Sequence, residues 1–275
     1  MHLQSIHIHP LKSARGLAID EAEVGKRGLA GDRRWMVVDG TGKFISARTF
    51  PGMVLIDATL APGGAGIVLE APGHPRIEVA EPAPGQATVD VEVWQSHCPA
   101  RAADDAAHAW ISTVLQQPCR LVHMSEDCLR AVSSKWSRRG DIVSFADGFP
   151  LLLIGTASLD ELNRRASRPQ SMLQFRPNLV VRTGLPFIED RWQRIRIGSV
   201  DFDVSKPCVR CVLTTVDPAT GIKASDGEPL TTLKQFRRSD LGITFGQNLI
   251  PRGRGMLRRN DEVFVLGGTD DEQLL

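Results

Sequence analysis

The sequence has no long hydrophobic run, and no apolar stretch approaches the roughly 18 residues that a transmembrane helix requires. Residues 1–9 also lack the basic segment followed by an apolar segment that marks a secretory signal peptide. We therefore predict a cytoplasmic protein that has no membrane partner.

Excess charge of either sign is absent as well. The 33 Lys and Arg residues nearly balance the 32 Asp and Glu residues, which leaves a net charge of +1. A nucleic-acid-binding domain usually shows a basic excess, so the composition predicts no nucleic-acid polymer as a partner. The Gly-rich motifs of dinucleotide-binding and P-loop proteins do not occur either.

Cysteine is scarce, and its spacing is not that of a disulfide framework. The chain has five cysteines, an odd number, which is typical of a reducing compartment. Cys98, Cys119 and Cys128 also lack the spacing of metal ligands. We interpret these three as structural thiols.

A β-rich pattern dominates the first part of the chain. The 275 residues, 42% of them hydrophobic, suffice for one large or two modest domains with a sizeable core. In residues 88–94, valines alternate with Asp90 and Glu92, which predicts a strand with one buried face. Two short runs that flank a Gly-containing turn predict a hairpin over residues 34–47.

Helical signals are few. Residues 103–117 carry apolar side chains at helical spacing and are followed by Pro118. Ser158 and Glu161 form a capping-box pattern that predicts the start of a second helix. The free N–H groups of residues 155–158 offer a second interpretation, a phosphate site.

The predicted fold class is therefore mainly β with flanking helices. Few α/β alternations occur, which argues against a doubly wound nucleotide-binding fold. Residues 125–147 are polar and lack periodicity, so we predict a long surface loop that borders a substrate entrance.

Cys208 and Cys211 form the most informative motif, a C-x-x-C pair. The aliphatic and β-branched residues 212–216 predict a strand directly after it. Structural zinc needs two more ligands, for which no second C-x-x-C or H-x-x-x-H exists. A thioredoxin-like motif places its first cysteine at a helix N-terminus, whereas here a strand is predicted to follow. The two cysteines could also be simple buried thiols, but Lys206 and Arg210 would then place charge beside an apolar site. The remaining interpretation is one thiolate ligand for a soft, redox-active metal.

Several motifs together resemble the MOSC family, most closely the branch of the mitochondrial amidoxime-reducing component and its bacterial YcbX-like relatives. The resemblance covers nearly the whole chain. The matching segments are Pro10-Leu-Lys-Ser13, Gly28-Leu-Ala-Gly-Asp-Arg-Arg-Trp-Met36, Arg176-Pro-Asn178, Pro207-Cys-Val-Arg-Cys-Val-Leu-Thr-Thr-Val-Asp-Pro-Ala-Thr-Gly221, Glu228-Pro-Leu-Thr-Thr-Leu-Lys-Gln-Phe-Arg237 and Phe245-Gly-Gln-Asn248.

The resemblance implies a fold and a cofactor. Residues 1–120 would form an N-terminal β module and residues 121–275 a MOSC-type β-barrel. The cofactor would be the molybdenum cofactor, an anionic pterin dithiolene, with Cys211 as the protein ligand to molybdenum. Arg210, next to Cys211, would favour the thiolate, and Cys208 has no assigned role.

The same resemblance implies the polar contacts of this anionic cofactor. Arginine suits bidentate recognition of phosphate, and lysine acts as a point charge. The expected cofactor-binding residues are Lys12, Ser13, Arg33, Arg176, Asn178, Arg210 and Cys211.

The implied activity is reduction of small N-hydroxylated compounds such as amidoximes, hydroxylamines and N-hydroxylated bases. The sequence ends soon after its last predicted strand, so we expect electrons from a separate donor protein, a flavin reductase with a ferredoxin or cytochrome. The alternative is a carrier that holds the cofactor, or a sulfur on Cys211, without turnover of its own.

Overall fold

The computed structural model describes residues 1–268, and the chain folds as a mainly β protein with three α-helices in this part. The predicted fold class is confirmed. The strands are β1 His2–Ile8, β2 Leu17–Ile19, β3 Glu21–Gly25, β4 Gly28–Leu29, β5 Trp35–Val38, β6 Asp57–Leu60, β7 Gly66–Ala71, β8 His74–Ala80, β9 Thr88–Val93, β10 Ser96–Ala102, β11 Arg120–His123, β12 Leu151–Gly155, β13 Leu179–Arg182, β14 Trp192–Ile197, β15 Val200–Val209, β16 Arg238–Ser239, β17 Gly242–Pro251, β18 Gly255–Arg258 and β19 Val263–Gly268.

The helices are short. They are α1 Asp105–Leu115, α2 Thr156–Arg165 and α3 Leu230–Phe236. Several single 3₁₀ turns occur elsewhere in the described residues. Within residues 1–268, no helix has both the length and the apolar character needed to cross a bilayer.

The largest sheet has nine strands and supports the cavity described below. Its order is β19-β14-β15-β17-β12-β13-β1-β2, with β16 added beside β17. All pairings are antiparallel except that of β12 with β13. Leucine, isoleucine and valine from these strands fill one core under the sheet, because each strand presents alternate side chains to the same face.

The first residues of the chain join this same sheet. β1 pairs with β13, more than 170 positions along the chain, through His2 with Arg182 and Ile6 with Leu179. The two halves of the chain therefore share a sheet. The division into modules 1–120 and 121–275 stays a prediction, and residues 269–275 lie outside the described part.

Smaller sheets form the rest of the first half. β5-β11-β10-β9 and β6-β7-β8 are antiparallel and enclose apolar cores, one of which α1 covers with its buried face. The strand predicted over residues 88–94 is confirmed as β9, with Val91 and Val93 fully buried. Cys98, Cys119 and Cys128 are buried free thiols.

The hairpin predicted over residues 34–47 is only partly formed. β5 is a regular strand, but after the turn only Phe44 bridges back to Val38, while Lys43 bridges to Glu92 in β9. The second arm is therefore divided between two partners. The predicted surface loop 125–147 also differs, because Arg130 and Phe145 are buried.

The capping box predicted at Ser158 is wrong. α2 begins two residues earlier, after Gly155, which places Ser158 inside its first turn. The fully buried Glu189 accepts hydrogen bonds from the Gly155 N–H at 3.0 Å and the Ser158 hydroxyl at 2.7 Å. A carboxylate of the chain thus binds this helix N-terminus, and the phosphate interpretation is wrong as well.

Candidate active site

One cavity of about 300 Å³ lies beside the large sheet, between β12, β15 and the loops that follow β1 and precede β13. All seven residues predicted to bind a cofactor line it, although they come from four separate segments of the chain. They are Lys12, Ser13, Arg33, Arg176, Asn178, Arg210 and Cys211. Cys208 lines the same cavity.

The two thiols of the C-x-x-C pair lie at the end of a strand and not, as predicted, at the start of one. Cys208 is in β15, and Cys211 precedes a 3₁₀ turn, Val212–Thr215. The hydroxyls of Thr214 and Thr215 donate to backbone oxygens three residues earlier, at 2.9 and 2.8 Å. These hydrogen bonds favour a turn over a strand, in spite of the β-branched side chains.

The local order also corrects the reason for setting aside a thioredoxin-like motif, since a strand precedes the pair and a short helical turn follows. Cys208 nevertheless lies within a strand, whereas that motif places its first cysteine at a helix N-terminus. Both thiols are free and half-buried, and each contacts an arginine.

The cation at Cys211 is Arg48. Its Nε–H donates to the Cys211 Sγ at 3.3 Å. Arg210, which the sequence placed beside Cys211, instead donates from Nη1 to the Cys208 Sγ at 2.9 Å and from Nη2 to the Phe175 carbonyl at 2.7 Å. Arg210 therefore contacts Cys208 and the Phe175 backbone in the wall of the cavity. Arg48, and not Arg210, is the cation that contacts the predicted metal ligand Cys211.

Asp147 connects Arg48 to Lys12. Its carboxylate accepts from Arg48 Nη2 at 2.7 Å and from Lys12 Nζ at 2.5 Å. Loss of water raises the pKa of Asp147, but the two cations outweigh this effect and hold the pKa below its usual value. The side chain keeps 54% of its surface accessible, so a charged carboxylate faces the cavity.

Lys12 is deeply buried, at 5% exposure, and its ammonium also donates to the Phe145 carbonyl at 2.7 Å. Burial lowers the pKa of Lys12 to about 8, in spite of the opposing effect of Asp147. Lys12 is therefore a cation whose proton is more weakly held than that of an exposed lysine.

Arg176 is a cation without a carboxylate partner among the described residues. Its Nη1 donates to the Ala14 carbonyl at 2.5 Å, and its Nη2 is buried and has no hydrogen-bond acceptor there. Burial, followed by the nearby Arg33, lowers the pKa of Arg176 to about 9. The Arg210 Nε is buried without an acceptor in the same way.

Arg33 and Asn178 hold each other. Arg33 forms a salt bridge to the buried Asp32 at 2.7 Å and donates to the Asn178 Oδ1 at 2.9 Å. The Asn178 Oδ1 also accepts from the Leu152 N–H, and its Nδ2 donates to the His7 carbonyl. Asn178 thus orients Arg33 and ties β12 to β1 at the base of the cavity.

Three of the residues that line the cavity have a left-handed backbone. Ser13, Arg33 and Arg176 have φ angles of 72°, 48° and 55°. This conformation costs a non-glycine residue on the order of 1 to 3 kcal/mol and is concentrated at functional sites. The surrounding structure maintains it here, where it directs two guanidinium groups and one hydroxyl toward the same space.

Sequence reasoning missed three residues of the site. Arg48 and Asp147 line the cavity, and Trp94 contacts both of them. The Trp94 indole N–H donates to the Asp147 Oδ1 at 3.2 Å, and Arg48 lies 4.5 Å from the ring centroid. Asp147 ends the segment predicted to border a substrate entrance, but no spacing in the sequence pointed to Arg48 or Trp94.

A second cavity of about 530 Å³ adjoins the first. The two share the side chains of Gln174, Arg176 and Leu213. His9, whose buried Nδ1 has no partner among residues 1–268, lines the second cavity. Burial and the charges of Arg33 and Arg176 lower the pKa of His9 well below its usual value, so this ring is neutral.

The fold and the cavity define a class of mainly β proteins that place a strand-end cysteine in a cationic pocket shared by both halves of the chain. Residues 1–118 match the MOSC N-terminal beta barrel domain, and residues 140–264 match the MOSC domain. The chain belongs to the MOSC family, in the branch that contains the mitochondrial amidoxime-reducing components.

Similarity to these relatives extends over most of the chain. The chain is 34% identical over 276 residues to mitochondrial amidoxime-reducing component 1 of Xenopus laevis, with 94% of this chain and 80% of the relative covered. Component 1 of Mus musculus is 34% identical over 278 residues, and that of Homo sapiens 32% over 277 residues. In both cases 94% of this chain and 81% of the relative are covered.

Proposed function

We propose that this protein is a molybdenum-cofactor-dependent reductase of small N-hydroxylated compounds. The observation that carries the proposal is the position of Cys211 in a cavity lined by six cationic side chains and one carboxylate. The relatives are named amidoxime-reducing components, which supports the same reaction class for this chain.

The cationic side chains fit an anionic cofactor with hydrogen-bond acceptors. Buried donors are almost always satisfied in folded proteins, yet the Arg176 Nη2 and the Arg210 Nε have no acceptor within residues 1–268. A buried cation without a counter-ion is also costly. A phosphate and the carbonyl and nitrogen acceptors of a pterin would supply both the charge and the hydrogen bonds.

The donor at Cys211 fits the metal. A thiolate is a suitable ligand for a soft, redox-active metal, and Arg48 stabilises negative charge on its sulfur. The bound molybdenum cofactor would supply two electrons and accept the oxygen of the N–O bond. Lys12, Ser13, Arg33, Arg176 and Arg210 would hold the cofactor, with Asn178 orienting Arg33.

Side chains of the protein would also supply charge and protons for the reaction at the cavity. Reduction of an N-hydroxyl group consumes two electrons and two protons and releases water together with the amine or amidine. Asp147 holds Arg48 and Lys12 in place, and a cationic amidine product would be attracted to its accessible carboxylate. Lys12, with its lowered pKa of about 8, donates a proton more readily than an exposed lysine.

Metal analysis of the purified protein, combined with a reduction assay, tests the proposal. We expect molybdenum and a fluorescent oxidised pterin in the protein, and conversion of benzamidoxime to benzamidine with a dithionite-reduced viologen as donor. Molybdenum without turnover would support the carrier alternative. Zinc in place of molybdenum would contradict both.

A further inference from the structure

A second pair of thiols lies outside both cavities. Cys98 is in β10 and Cys128 follows β11, and both belong to the apolar core of the sheet β5-β11-β10-β9. The Cys98 thiol donates a hydrogen bond to the Cys128 sulfur. Both side chains are buried, and neither is in a disulfide bond. Two thiols that are distant in the chain are therefore in direct contact.

Arg130 brings positive charge to this pair. Its side chain is buried, and its guanidinium forms no salt bridge to a carboxylate within residues 1–268. Its hydrogen bonds go to the backbone oxygens of Ser144, Ala146 and Asp147, at 2.7, 2.6 and 3.0 Å. A buried cation without a counter-ion is costly, so negative charge on the nearby Cys128 sulfur is favoured.

The two thiols differ in how easily they lose a proton. The hydrogen bond from Cys98, the Arg130 N–H and the charges of Arg27 and Arg130 outweigh burial and hold the pKa of Cys128 below its usual value. The same hydrogen bond and burial raise the pKa of Cys98. The pair thus combines a thiolate that can attack an oxidant with a thiol that can resolve the product.

Cys128 lies directly below the surface. Residues 124–130 form neither helix nor strand, and Asp127 and Leu129 on either side of Cys128 are exposed. Irregular segments open locally at a lower free energy than paired strands. A small oxidant therefore reaches Cys128 without unfolding of the sheet.

We propose that Cys98 and Cys128 are a redox modification site, at which hydrogen peroxide converts the two thiols to a disulfide bond. The Cys128 thiolate attacks one peroxide oxygen, the O–O bond breaks, and hydroxide leaves while Cys128 becomes a sulfenic acid. The Cys98 sulfur then attacks the Cys128 sulfur, and the sulfenic oxygen leaves as water with the Cys98 proton. The hydroxide takes up the proton that Cys128 had released, so two thiols lose two electrons and peroxide becomes two waters.

The position of the pair makes this reaction possible and connects it to the active site. A disulfide bond places its sulfurs about 2 Å apart, so hydrogen-bonded thiols need only a small approach. Oxidation removes the negative charge beside Arg130, the residue that holds the backbone of Asp147. The proposal does not depend on the proposed function, because neither thiol lines a described cavity.

Peptide mapping of the full-length protein tests the proposal. The protein is treated with hydrogen peroxide, remaining thiols are blocked with N-ethylmaleimide, and trypsin digestion without reductant is followed by mass spectrometry. Cleavage after Arg101 and Arg120 separates the peptides of Cys98, Cys119 and Cys128. We expect a linked Cys98–Cys128 peptide, two hydrogen atoms lighter than its two reduced parts, that dithiothreitol separates again. If both residues remain alkylated by the maleimide, the proposal is wrong.

Cys119 is the matched control, because it is also buried but its sulfur contacts the Ser112 hydroxyl and no second thiol. Burial raises the pKa of Cys119, and we expect peroxide to oxidise Cys128 at least about tenfold faster. Equal rates for the two residues would contradict an activated thiolate at Cys128.

Variants assign the roles within the pair. In Cys98→Ala the resolving thiol is lost, so Cys128 should be trapped as a sulfenic acid by dimedone. In Cys128→Ala, Cys98 should stay reduced, whereas Cys119→Ala should give the linked peptide in the same yield as the wild type. Oxidation of Cys98 in Cys128→Ala at the wild-type rate would overturn the assignment of Cys128 as the attacking thiolate. The wild-type mapping decides the proposal even if a variant does not fold.

Discussion

Arg48 and Cys211 lie 163 positions apart in the chain, yet the Arg48 Nε donates a hydrogen bond to the Cys211 Sγ at 3.3 Å. Loss of water lowers the pKa of Arg48, but Asp147 and Cys211 outweigh this and raise it above its usual value. The two halves of the chain thus meet at one sulfur, and a single guanidinium joins that sulfur to the carboxylate beside it.

Replacement of the Arg48 guanidinium tests whether its contacts with Cys211 and Asp147 matter for activity. Arg48→Lys keeps the charge, but one ammonium does not reproduce the planar fork that contacts Cys211 and Asp147 together. We expect kcat/KM for benzamidoxime to decrease about 10- to 100-fold, as is typical when a group that supports a metal ligand is lost. Arg34→Lys is the control, because Arg34 contacts Met124 and Glu126. Equal losses in both variants would contradict a specific role for Arg48.

The two thiols should differ in their effect on metal binding. Cys211→Ser should lower the affinity for molybdenum, measured by elemental analysis of the metal retained on dialysis, by more than about 100-fold, because loss of a ligand exceeds loss of a supporting contact. Cys208→Ser should retain most of the metal, because Arg210 still has an oxygen to contact. The opposite order would assign the metal to Cys208.

Lys12 should titrate near pH 8 in the cofactor-free protein, because burial lowers its pKa to about 8 from the 10.5 of a free lysine. Between these two pKa values the unfolded chain binds more protons than the folded chain. The contribution of Lys12 to the free energy of unfolding therefore increases as pH rises through this range. Below pH 8 both states are protonated and the contribution is constant.

NMR of the lysine Cε signals measures this titration directly. The signal that is lost in Lys12→Met should shift with a midpoint near pH 8, and the increase in unfolding free energy from about pH 8 to 10.5 should be smaller in that variant. A Lys12 signal that titrates above pH 10 would contradict the effect of burial.

Glu189 should contribute to stability through its hydrogen bonds and not through its charge. Burial raises the pKa of Glu189, and its carboxylate accepts from the Gly155 N–H and the Ser158 hydroxyl. Glu189→Gln keeps an acceptor, so we expect a change within about 1 kcal/mol in urea unfolding, whereas Glu189→Leu should cost about 2 to 4 kcal/mol. Similar losses in both variants would show that the charge itself matters.

Local patterns predicted individual elements where one physical effect dominates. The alternation in β9 and the apolar spacing of α1 each follow from a single buried face, and both are present. Residues 212–216 show the limit of this reasoning. Their β-branched side chains favour a strand, but the hydroxyls of Thr214 and Thr215 bind the backbone locally and close a turn.

The start of α2 shows a second limit. Ser158 and Glu161 have the spacing of a capping box, yet the acceptor at this helix start is Glu189, 31 positions from Ser158. A side chain so distant in sequence leaves no local signal. Arg48 was missed for the same reason, since its partners Asp147 and Cys211 are 99 and 163 positions away.

The sequence by itself determined the mainly β character, the family and seven of the residues that line the cavity, because these depend on side-chain periodicity and on motifs that can be read in order. Only the tertiary structure decided which cation contacts which sulfur. Arg210 is next to Cys211 in the chain but its guanidinium contacts Cys208, and Arg48 contacts Cys211. Contacts between side chains depend on how strands distant in sequence pair, and that pairing is set by burial across the whole fold.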